Sequence, residues 1–541
     1  MKKQDLKNRK IGEAEVRRAS EILREYKDGK NTLENNIVEN EQWWKLRHWD
    51  TFAKNESGQN DDPASAWLFN VITSKHADAM DDFPEASILP REKGDREEAR
   101  RLSSILPAIL ENNDFEETYS KNWWYKLKHG CCAYGVFWNS SLENGLGDIQ
   151  ISKIDLLNIF WEPGISDLQK SRNLFIVDLK DRDILESEYP FLKDKSGDNV
   201  IDVKQYIYDD NIDTSKKALV VDWYYKVRSE NGQTLLHYCK FTGDTVLFAS
   251  ENCEEYKECG WYDHGEYPVV FDTLFPEEGT PAGFGYIAVT KNPQMYIDKL
   301  NQAMLENVLM AAKPRYFAKM SAGINEGEFL DWSKPIVHVE GDINEERLRP
   351  INVAQLPPTC LSILNMKIEE LKETSSNSDF NRGSAATSGV TAASAIAALQ
   401  EAGNKTSRDM LKGTYRAFVK INYLCIELIR QFYSELRSFR VTGADGNYDF
   451  EEYNNKNIVR KIIDNNSLRC PVFDISVKAQ KKSPYSRLSQ NEMAKELFNM
   501  GFFNPQNASQ ALSALEIMDF EGKSAIESKI REGISSGDIN D

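Results

Sequence analysis

The chain has 541 residues, with 67 Lys+Arg against 85 Asp+Glu and a formal net charge of −18. Because DNA-binding proteins gain most of their affinity from basic side chains that neutralise phosphates, this balance argues against a protein that grips duplex DNA over a broad surface. A hydrophobic content of 40% is typical of a folded protein, and eight cysteines are too few for a disulfide scaffold. No apolar run reaches the ~18 residues of a membrane span. We therefore expect a soluble protein made in a reducing cytoplasm.

The first quarter of the chain has mostly helical spacing. Polar helices are predicted within residues 1–60, over 64–82 and over 97–124, with a break or kink in the last one at Pro107. Residues 85–89, which lie between two prolines, are predicted to be extended.

From about residue 130 the apolar period changes to two, which predicts a β-rich module. Asn231-Gly232 separates two of the apolar runs and favours a tight hairpin there. The predicted strands cover residues 134–138, 147–154, 174–179, 219–227, 234–241 and 245–249.

Two helices then flank a compact segment. Residues 284–313 and 359–374 are predicted helices, and the mixed segment 314–358 between them contains a predicted strand at 335–339. Each helix has a narrow apolar seam that suits packing against neighbouring helices rather than a large core. The seam residues are Ile297, Leu300, Met304, Val308 and Ala311 in the first helix, and Leu361, Leu364, Ile368 and Leu371 in the second.

The next segment, 375–391, is composed of small and polar residues and has too few apolar side chains to form a core. It leads into a very long helical pattern from residue 392 to about 436, in which Gly403 and Gly413 are predicted points of kinking or close packing. A strand is predicted at 473–477, followed by short polar helices and an acidic tail.

The sequence contains three partial motifs of enzymes or metal sites, and each lacks a required feature. Gly283-Phe-Gly285-Tyr-Ile-Ala288 has glycine spacing similar to a dinucleotide-binding turn, but no buried strand leads into it. Residues 164–171 resemble a phosphate-binding loop but carry Gln169 in place of the required second glycine. The spacing of Cys253, Cys259 and His264, with Cys239 upstream, is not that of common zinc sites. We therefore predict no catalytic residue, no cofactor and no metal.

One cluster mixes basic and aromatic residues, from Lys121 to His129. Such a mixture occurs in proteins that bind single-stranded nucleic acid. The alternative, which we favour, is an amphipathic helix whose tryptophans anchor it while its lysines face solvent.

The order of these parts resembles the portal (head-to-tail connector) proteins of tailed bacteriophages and related viruses. In that family two stem helices bracket a clip, and a tunnel loop then leads into a long kinked helix of the wing and a helical crown. Short local matches add to the resemblance. They are Asn70-Val71, Asp81–Pro84, Ile88–Pro90, Gly130, Tyr134–Val136, Gly147–Ile149, Asn158–Pro163, Ser388–Ile396 and Lys481–Glu496.

The resemblance implies an α+β, predominantly α, elongated subunit. It assigns an N-terminal arm and β-containing wing to 1–283, a two-helix stem to 284–313 and 359–374, and a small clip to 314–358. The remaining segments are the tunnel loop 375–391, the long wing helix and wing strands 392–480, and the crown with the acidic tail 481–541. The stem helices would be about 45 and 24 Å long, enough to form a tunnel wall.

The resemblance also implies a non-enzymatic ring, usually dodecameric, at one capsid vertex of the virion, assembled in the host cytoplasm. Its partners would be other copies of the chain, the major capsid and scaffolding proteins, the terminase motor, the tail adaptor or neck proteins, and double-stranded DNA passing without sequence specificity, with no membrane involved. The ring would carry DNA during packaging and ejection. Neighbouring subunits would bury the stem residues Ile297, Leu300, Met304, Val308, Leu364 and Ile368.

Within the predicted tunnel loop, small side chains would touch passing DNA without reading bases. Arg382, the only cation of the segment, would contact phosphate or pair with Asp379 or with a neighbouring subunit, and the sequence leaves this choice open. The residues assigned to the DNA channel are Asn381, Arg382, Gly383, Ser384, Thr387, Ser388 and Gly389.

Two other classes of protein compete with this interpretation. A packaging enzyme such as a terminase would need a true phosphate loop and a carboxylate metal cluster, and the sequence shows neither. A capsid-shell or tail-tube subunit is the other alternative, but a long helix preceded by a small polar loop is unusual in both.

Overall fold

The computed structural model describes a mixed helix and strand protein in two compact units. The larger unit comprises residues 1–76 and 86–476, and the smaller one residues 77–85 and 477–541. Within these, the residues described are 10–51, 64–192, 201–203, 217–229, 232–312, 315–318, 324–331, 333, 335–338, 340, 348–351, 356–375, 405–442, 448–459, 461–464, 467–481, 495, 498–501, 511–512, 515, 526 and 530.

Helix is the more abundant of the two structures, at 52% against 27% strand, which confirms the predicted α+β class with a helical majority. Both predicted stem helices are present, and the second has the predicted bounds. The described helices are α1 Glu13–Trp44, α2 Trp67–Asp81, α3 Arg96–Asn112, α4 Phe115–His129, α5 Arg182–Glu188, α6 Tyr286–Ala312, α7 Glu326–Leu330, α8 Thr359–Thr374 and α9 Lys405–Phe432.

Each of the six strands predicted between residues 134 and 249 overlaps an observed strand, and the structure adds others that the pattern does not predict. They are β1 Asp82–Pro90, β2 Cys131–Asn139, β3 Asp148–Ile154, β4 Ile159–Trp161, β5 Asn173–Asp181, β6 Lys217–Arg228, β7 Thr234–Thr242, β8 Thr245–Ala249, β9 Val269–Thr273, β10 Phe275–Glu277, β11 Thr280–Phe284, β12 Arg315–Ala318, β13 Leu348–Ile351, β14 Arg437–Thr442, β15 Tyr448–Tyr453, β16 Lys461–Asp464, β17 Ser467–Arg469 and β18 Phe473–Lys481.

Among the described residues two antiparallel sheets have more than two strands, one of five in the order β4-β5-β6-β7-β8 and one of three in the order β3-β2-β9. The predicted hairpin joins β6 to β7, where Arg228 lies opposite Thr234. Gly232 in this turn has a φ of +80°, a left-handed conformation that glycine adopts without strain. Asn231 lies outside the described residues.

Helix α1 covers one face of the five-stranded sheet. Its residues Val16, Ala19, Leu23 and Tyr26 recur at helical spacing and are buried in a cluster with alternate residues of the strands. The strand residues in this cluster include Phe175, Val177, Val221, Trp223, Tyr225 and Phe241. Helix α1 is therefore part of the apolar core beneath this sheet.

The helical region 97–124 is broken at a different place from the one predicted. Pro107 lies inside α3, and the helix continues across it with Leu106 and Ile109 buried on either side. The break falls at Asn113-Asp114, where Asp114 has a φ of +47°, between α3 and α4. Of the break or kink predicted at Pro107, the break is wrong, because burial of the flanking apolar residues compensates for the hydrogen bond that proline cannot make, and a kink there stays a prediction.

The clip segment also differs from expectation. Residues 335–338 of the predicted strand are not in a strand, and β12 and β13 form the antiparallel pair instead. His338 accounts for part of this difference, because its N–H donates to the Glu328 carboxylate, 2.9 Å away, and is not available to a strand partner.

The smaller unit contains a separate apolar cluster of Ala511, Leu515 and Ile530, with Leu512 and Ile526 packed against it. These residues belong to the predicted helical crown, and Ala511, Leu512, Leu515, Ile526 and Ile530 are all helical.

Asn113 closes the open edge of β3 in place of another strand. Its Nδ2 donates to Ile149 O at 3.0 Å, and its Oδ1 accepts from Ile151 N at 2.8 Å. A side-chain amide thus pairs both backbone groups that a neighbouring strand would otherwise satisfy.

We expect Asn113→Ala to lower the free energy of unfolding by about 1–3 kcal/mol, because it leaves these two backbone groups without partners. Chemical denaturation of the purified subunit would measure the change. Asn139→Ala is the matched control, since the Asn139 side chain bonds to the exposed Gln150 side chain and to the exposed Ser141 N–H, and water can replace both bonds, so the loss should be less than about 0.5 kcal/mol. Equal losses in the two variants would contradict the role given to Asn113.

Candidate functional site

The predicted stem consists of α6 and α8, which pack against each other. Lys367 of α8 lies over the Tyr296 ring of α6, with its Nζ 5.6 Å from the ring centroid. Of the predicted seam residues, Ile297 is buried, and Leu300, Met304, Leu364 and Ile368 are half-buried. Val308 is 58% exposed, so this subunit alone does not cover the far end of the seam.

Several more apolar side chains at this end of the stem are exposed. A run of exposed apolar residues is unusual on a protein surface and commonly marks a contact with another molecule. The residues are Leu305, Val308, Leu309 and Met310 on α6, and Leu361, Ile363 and Met366 on α8.

The near end of α6 is held by a polar cluster around Asp298, which we call the Asp298 cluster. Asp298 is fully buried, and its Oδ1 accepts from Ser65 N at 2.8 Å and from Gln294 Nε2 at 3.1 Å, as well as from the Ser65 hydroxyl. Its Oδ2 lies 3.2 Å from His48 Nε2, and the His48 ring stacks on Trp43. Gln294 Oε1 also accepts from Leu68 N at 3.2 Å. The cluster therefore ties the end of α1 and the start of α2 to the stem.

Helix α1 makes further charged contacts, with α4 and with α6. Glu41 lies 2.6 Å from Lys128 Nζ and 3.4 Å from His129 Nε2, and Glu39 lies 3.3 Å from Lys291 Nζ of α6. Burial alone would raise the pKa of Glu41, but the hydrogen bond from His129 and the charge of Lys128 lower it to about 2. The carboxylate of Glu41 is therefore charged at neutral pH and bridges α1 to α4.

The glycines of the rejected dinucleotide motif have a packing role. A Cβ on Gly285 would lie 2.7 Å from Leu127 O and 2.8 Å from Lys128 O. Gly283 has a φ of +63°, and a Cβ there would lie 2.1 Å from Phe275 O. Both positions need glycine. At Gly285 the chain entering α6 passes directly against the end of α4, and at Gly283 β11 passes directly against β10.

These glycines line a cavity of about 290 Å³ together with Gly164, Lys30 and Lys291. Its two lysines are already engaged. Lys30 Nζ donates to Ile159 O at 2.6 Å and also to Leu156 O, and Lys291 pairs with Glu39. Burial lowers the pKa of Lys30 to about 7, which further reduces its charge. The cavity therefore does not present the cationic groups of a phosphate site.

The basic and aromatic cluster 121–129 forms most of α4, as the favoured interpretation requires, but its lysines do not all face solvent. Trp123 is buried, and only Lys121 is largely exposed. Lys126 is fully buried, with its Nζ 2.7 Å from Asp272 Oδ1 and 2.8 Å from Thr414 Oγ1. The prediction is wrong for Lys126 because a buried carboxylate, distant in sequence, compensates its charge.

Most of the predicted tunnel loop lies outside the described residues. This holds for Asn381, Arg382, Gly383, Ser384, Thr387, Ser388 and Gly389, and for Gly403, a predicted point of kinking. Ser375, at the end of α8, is described and buried, and its hydroxyl donates to Lys372 O at 3.1 Å.

Among the described residues, no group of three or more His, Cys, Asp or Glu side chains is arranged to hold a metal ion. Cys239, one of the weak zinc candidates, is buried within β7, whereas Cys259 is exposed in a turn. No helix in the described part of the chain is long and apolar enough to cross a membrane.

We expect Asp298→Asn to lower the free energy of unfolding by about 1.5–3 kcal/mol, the usual contribution of hydrogen bonds to a buried charged group. The asparagine side chain has one acceptor oxygen in place of the two of a carboxylate. Its NH2 group would therefore face groups that now donate to Asp298, such as Gln294 Nε2. Chemical denaturation would measure the loss, and hydrogen exchange should rise in residues 43–51 and 65–70.

Glu306→Gln, the same chemical change on an exposed part of α6, is the matched control. Its carboxylate accepts a hydrogen bond from Gln302 one turn away on the same helix, at the surface, so the expected loss is under about 0.5 kcal/mol. Similar losses in both variants would show that Asp298 does not hold the stem to the arm.

Comparison with known proteins gives one family. The family model described as phage P22-like portal protein matches residues 78–540, which is most of the chain. No curated protein matches. Portal proteins are non-enzymatic structural components of the virion, located at a capsid vertex as the head–tail connector, and they form oligomeric rings. The chain therefore belongs to the phage P22-like portal protein family.

Proposed function

We propose that twelve copies of this chain form a ring whose stem helices surround a channel for double-stranded DNA during packaging and ejection. The clip would dock the terminase motor and later the tail adaptor, and the wing would contact capsid and scaffolding proteins. Assembly would take place in the host cytoplasm. Family membership supports the portal role, and the observation that carries the ring proposal is the exposed apolar end of the stem.

The stem has the surface expected of a helix pair with further neighbours. Leu305, Val308 and Leu309 are separated by three and four residues and so share one face of α6, and each is more than half exposed. Full burial of such side chains contributes about 1.5–3 kcal/mol each. In a closed ring every subunit presents this surface to a neighbour, so the gain is repeated at each interface.

The charges on the stem support passage of DNA rather than tight binding. The lysines Lys367 and Lys372 of α8 lie 2.6 Å from Glu370 and 3.1 Å from Glu369, one turn away on the same helix. A cation neutralised by its own helix attracts phosphate weakly, and the chain as a whole is acidic. DNA in such a channel would slide and would not be held at one place.

The clip offers a surface suited to protein partners. Phe317, Leu330 and Ile336 are exposed by 65%, 74% and 65%. Exposed apolar side chains in this segment are consistent with docking of a motor or adaptor there.

Val308→Asp tests the ring. We expect the subunit to fold with an unchanged melting temperature, because the side chain is exposed in the monomer, but to lose ring assembly, because a carboxylate would be buried in each interface. Electron microscopy and native mass measurement would count the copies in each particle. Ile184→Asp, at a similarly exposed apolar residue in α5 of the wing, is the control and should leave assembly intact. Normal rings of the Val308→Asp variant would contradict the proposal.

Deletion of residues 381–389 tests the tunnel-loop assignment. The stem helices and wing remain complete in this variant, so rings should still assemble. Packaged or retained DNA should decrease, because the segment proposed to touch DNA is lost. The DNA content of purified heads, measured by absorbance and gel electrophoresis, would show the effect. Heads filled as in the unaltered protein would rule out this role for the segment.

A further inference from the structure

Two buried lysines donate hydrogen bonds to the N-terminal part of helix α9. This helix follows the proposed tunnel loop in the chain. Lys75 Nζ of α2 donates to Ser407 Oγ at 3.0 Å, and Lys126 Nζ of α4 donates to Thr414 Oγ1 at 2.8 Å. Each of these four residues is less than 10% exposed. Ser407 and Thr414 are seven residues apart, almost two helical turns, so both hydroxyls lie on the same face of α9.

The same face of α9 also contacts the stem. Met410 lies between the two hydroxyls on this face, and its Sδ is 3.5 Å from the Tyr286 hydroxyl at the start of α6. Three consecutive contacts along α9 therefore involve α2, the first stem helix and α4.

The contact at Thr414 forms part of a closed charge network. Its hydroxyl accepts from Lys126 and donates to Asp272 Oδ2 at 2.8 Å, while Lys126 lies 2.7 Å from Asp272 Oδ1. A buried ion pair offsets its desolvation cost only when its remaining hydrogen-bonding groups also find partners. A shift of α9 by one residue would turn the hydroxyl by about 100° away from both. The network therefore favours one register of the helix over its neighbours.

We propose that Ser407 and Thr414 are positioning residues that set the register of α9 against the wing and stem. Through that register they set where α9 begins, at Lys405. This inference rests on the proposed function, in which the segment before α9 contacts DNA. In this proposal the hydroxyl groups of Ser407 and Thr414 link the segment that contacts DNA to the rest of the subunit.

The test compares Thr414→Val, which keeps the shape but removes the hydroxyl, with Thr414→Ser, which keeps the hydroxyl. Thr290→Val is the matched control, because Thr290 is equally buried but its hydroxyl donates to Tyr286 O within its own helix at 2.7 Å. Hydrogen exchange in assembled rings reports on the register of α9, and the DNA content of heads reports on function.

We expect backbone exchange over residues 407–414 to rise about tenfold or more in Thr414→Val, with assembled rings and a changed DNA content. Thr414→Ser and Thr290→Val should match the unaltered protein in both measurements, and Ser407→Ala should shift both in the same direction as Thr414→Val. A purely structural role would predict equal effects from Thr414→Val and Thr290→Val.

The inference is overturned if Thr414→Val exchanges as slowly as Thr290→Val, or if it exchanges faster and DNA content stays the same. Deletion of 381–389, measured in parallel, separates the two levels of the proposal. If that deletion lowers DNA content and Thr414→Val does not, only the positioning role fails. If neither variant changes DNA content, the tunnel-loop assignment fails with it.

Discussion

A carboxylate removed from water destabilises a protein unless donors surround it, and two fully buried carboxylates organise this subunit. Asp298 collects donors from Ser65 and Gln294 and lies beside His48, and Asp272 collects them from Lys126 and Thr414. Each carboxylate joins segments that are far apart in the sequence. Helix α6, the end of α1 and helix α9 are thereby held by directional contacts as well as by apolar packing, and a shift of any one of them would break hydrogen bonds to a buried carboxylate.

The parts of the fold that depend on local periodicity could be predicted. Strand Thr245–Ala249 and helix Thr359–Thr374 have the predicted bounds, since an alternating or helical apolar pattern and a flanking turn or proline determine them locally. The break between α3 and α4 could not be predicted, because Pro107 is a stronger local signal than Asn113-Asp114. What decides it is tertiary packing: apolar burial carries α3 through the proline, and Asn113 is needed at the edge of β3.

The candidate site was predictable to a smaller extent. The stem seam follows from the spacing of Ile297, Leu300 and Met304, but the sequence does not indicate where the arm stops covering it. Ile297 is buried and Val308 is exposed, although both satisfy the same pattern. The pairing of Lys126 with Asp272 could not be predicted for a related reason. A basic residue on a helix is usually solvated, and only a partner 146 positions away reverses that expectation for Lys126.

The acidic balance of the chain has a narrower meaning than composition alone suggests. A net charge of −18 disfavours a protein that grips DNA, yet it suits a channel through which DNA must move, because strong attraction would trap the polyanion. Of the described lysines on the two predicted stem helices, Lys291, Lys367 and Lys372 pair with carboxylates, whereas Lys299 is exposed. If each contact with DNA is weak, it contributes little free energy. Any response of the subunit to DNA then depends on a rigid network of contacts inside the subunit. Buried hydroxyl and carboxylate networks such as that at Asp272 provide this rigidity at the point where α9 meets the wing.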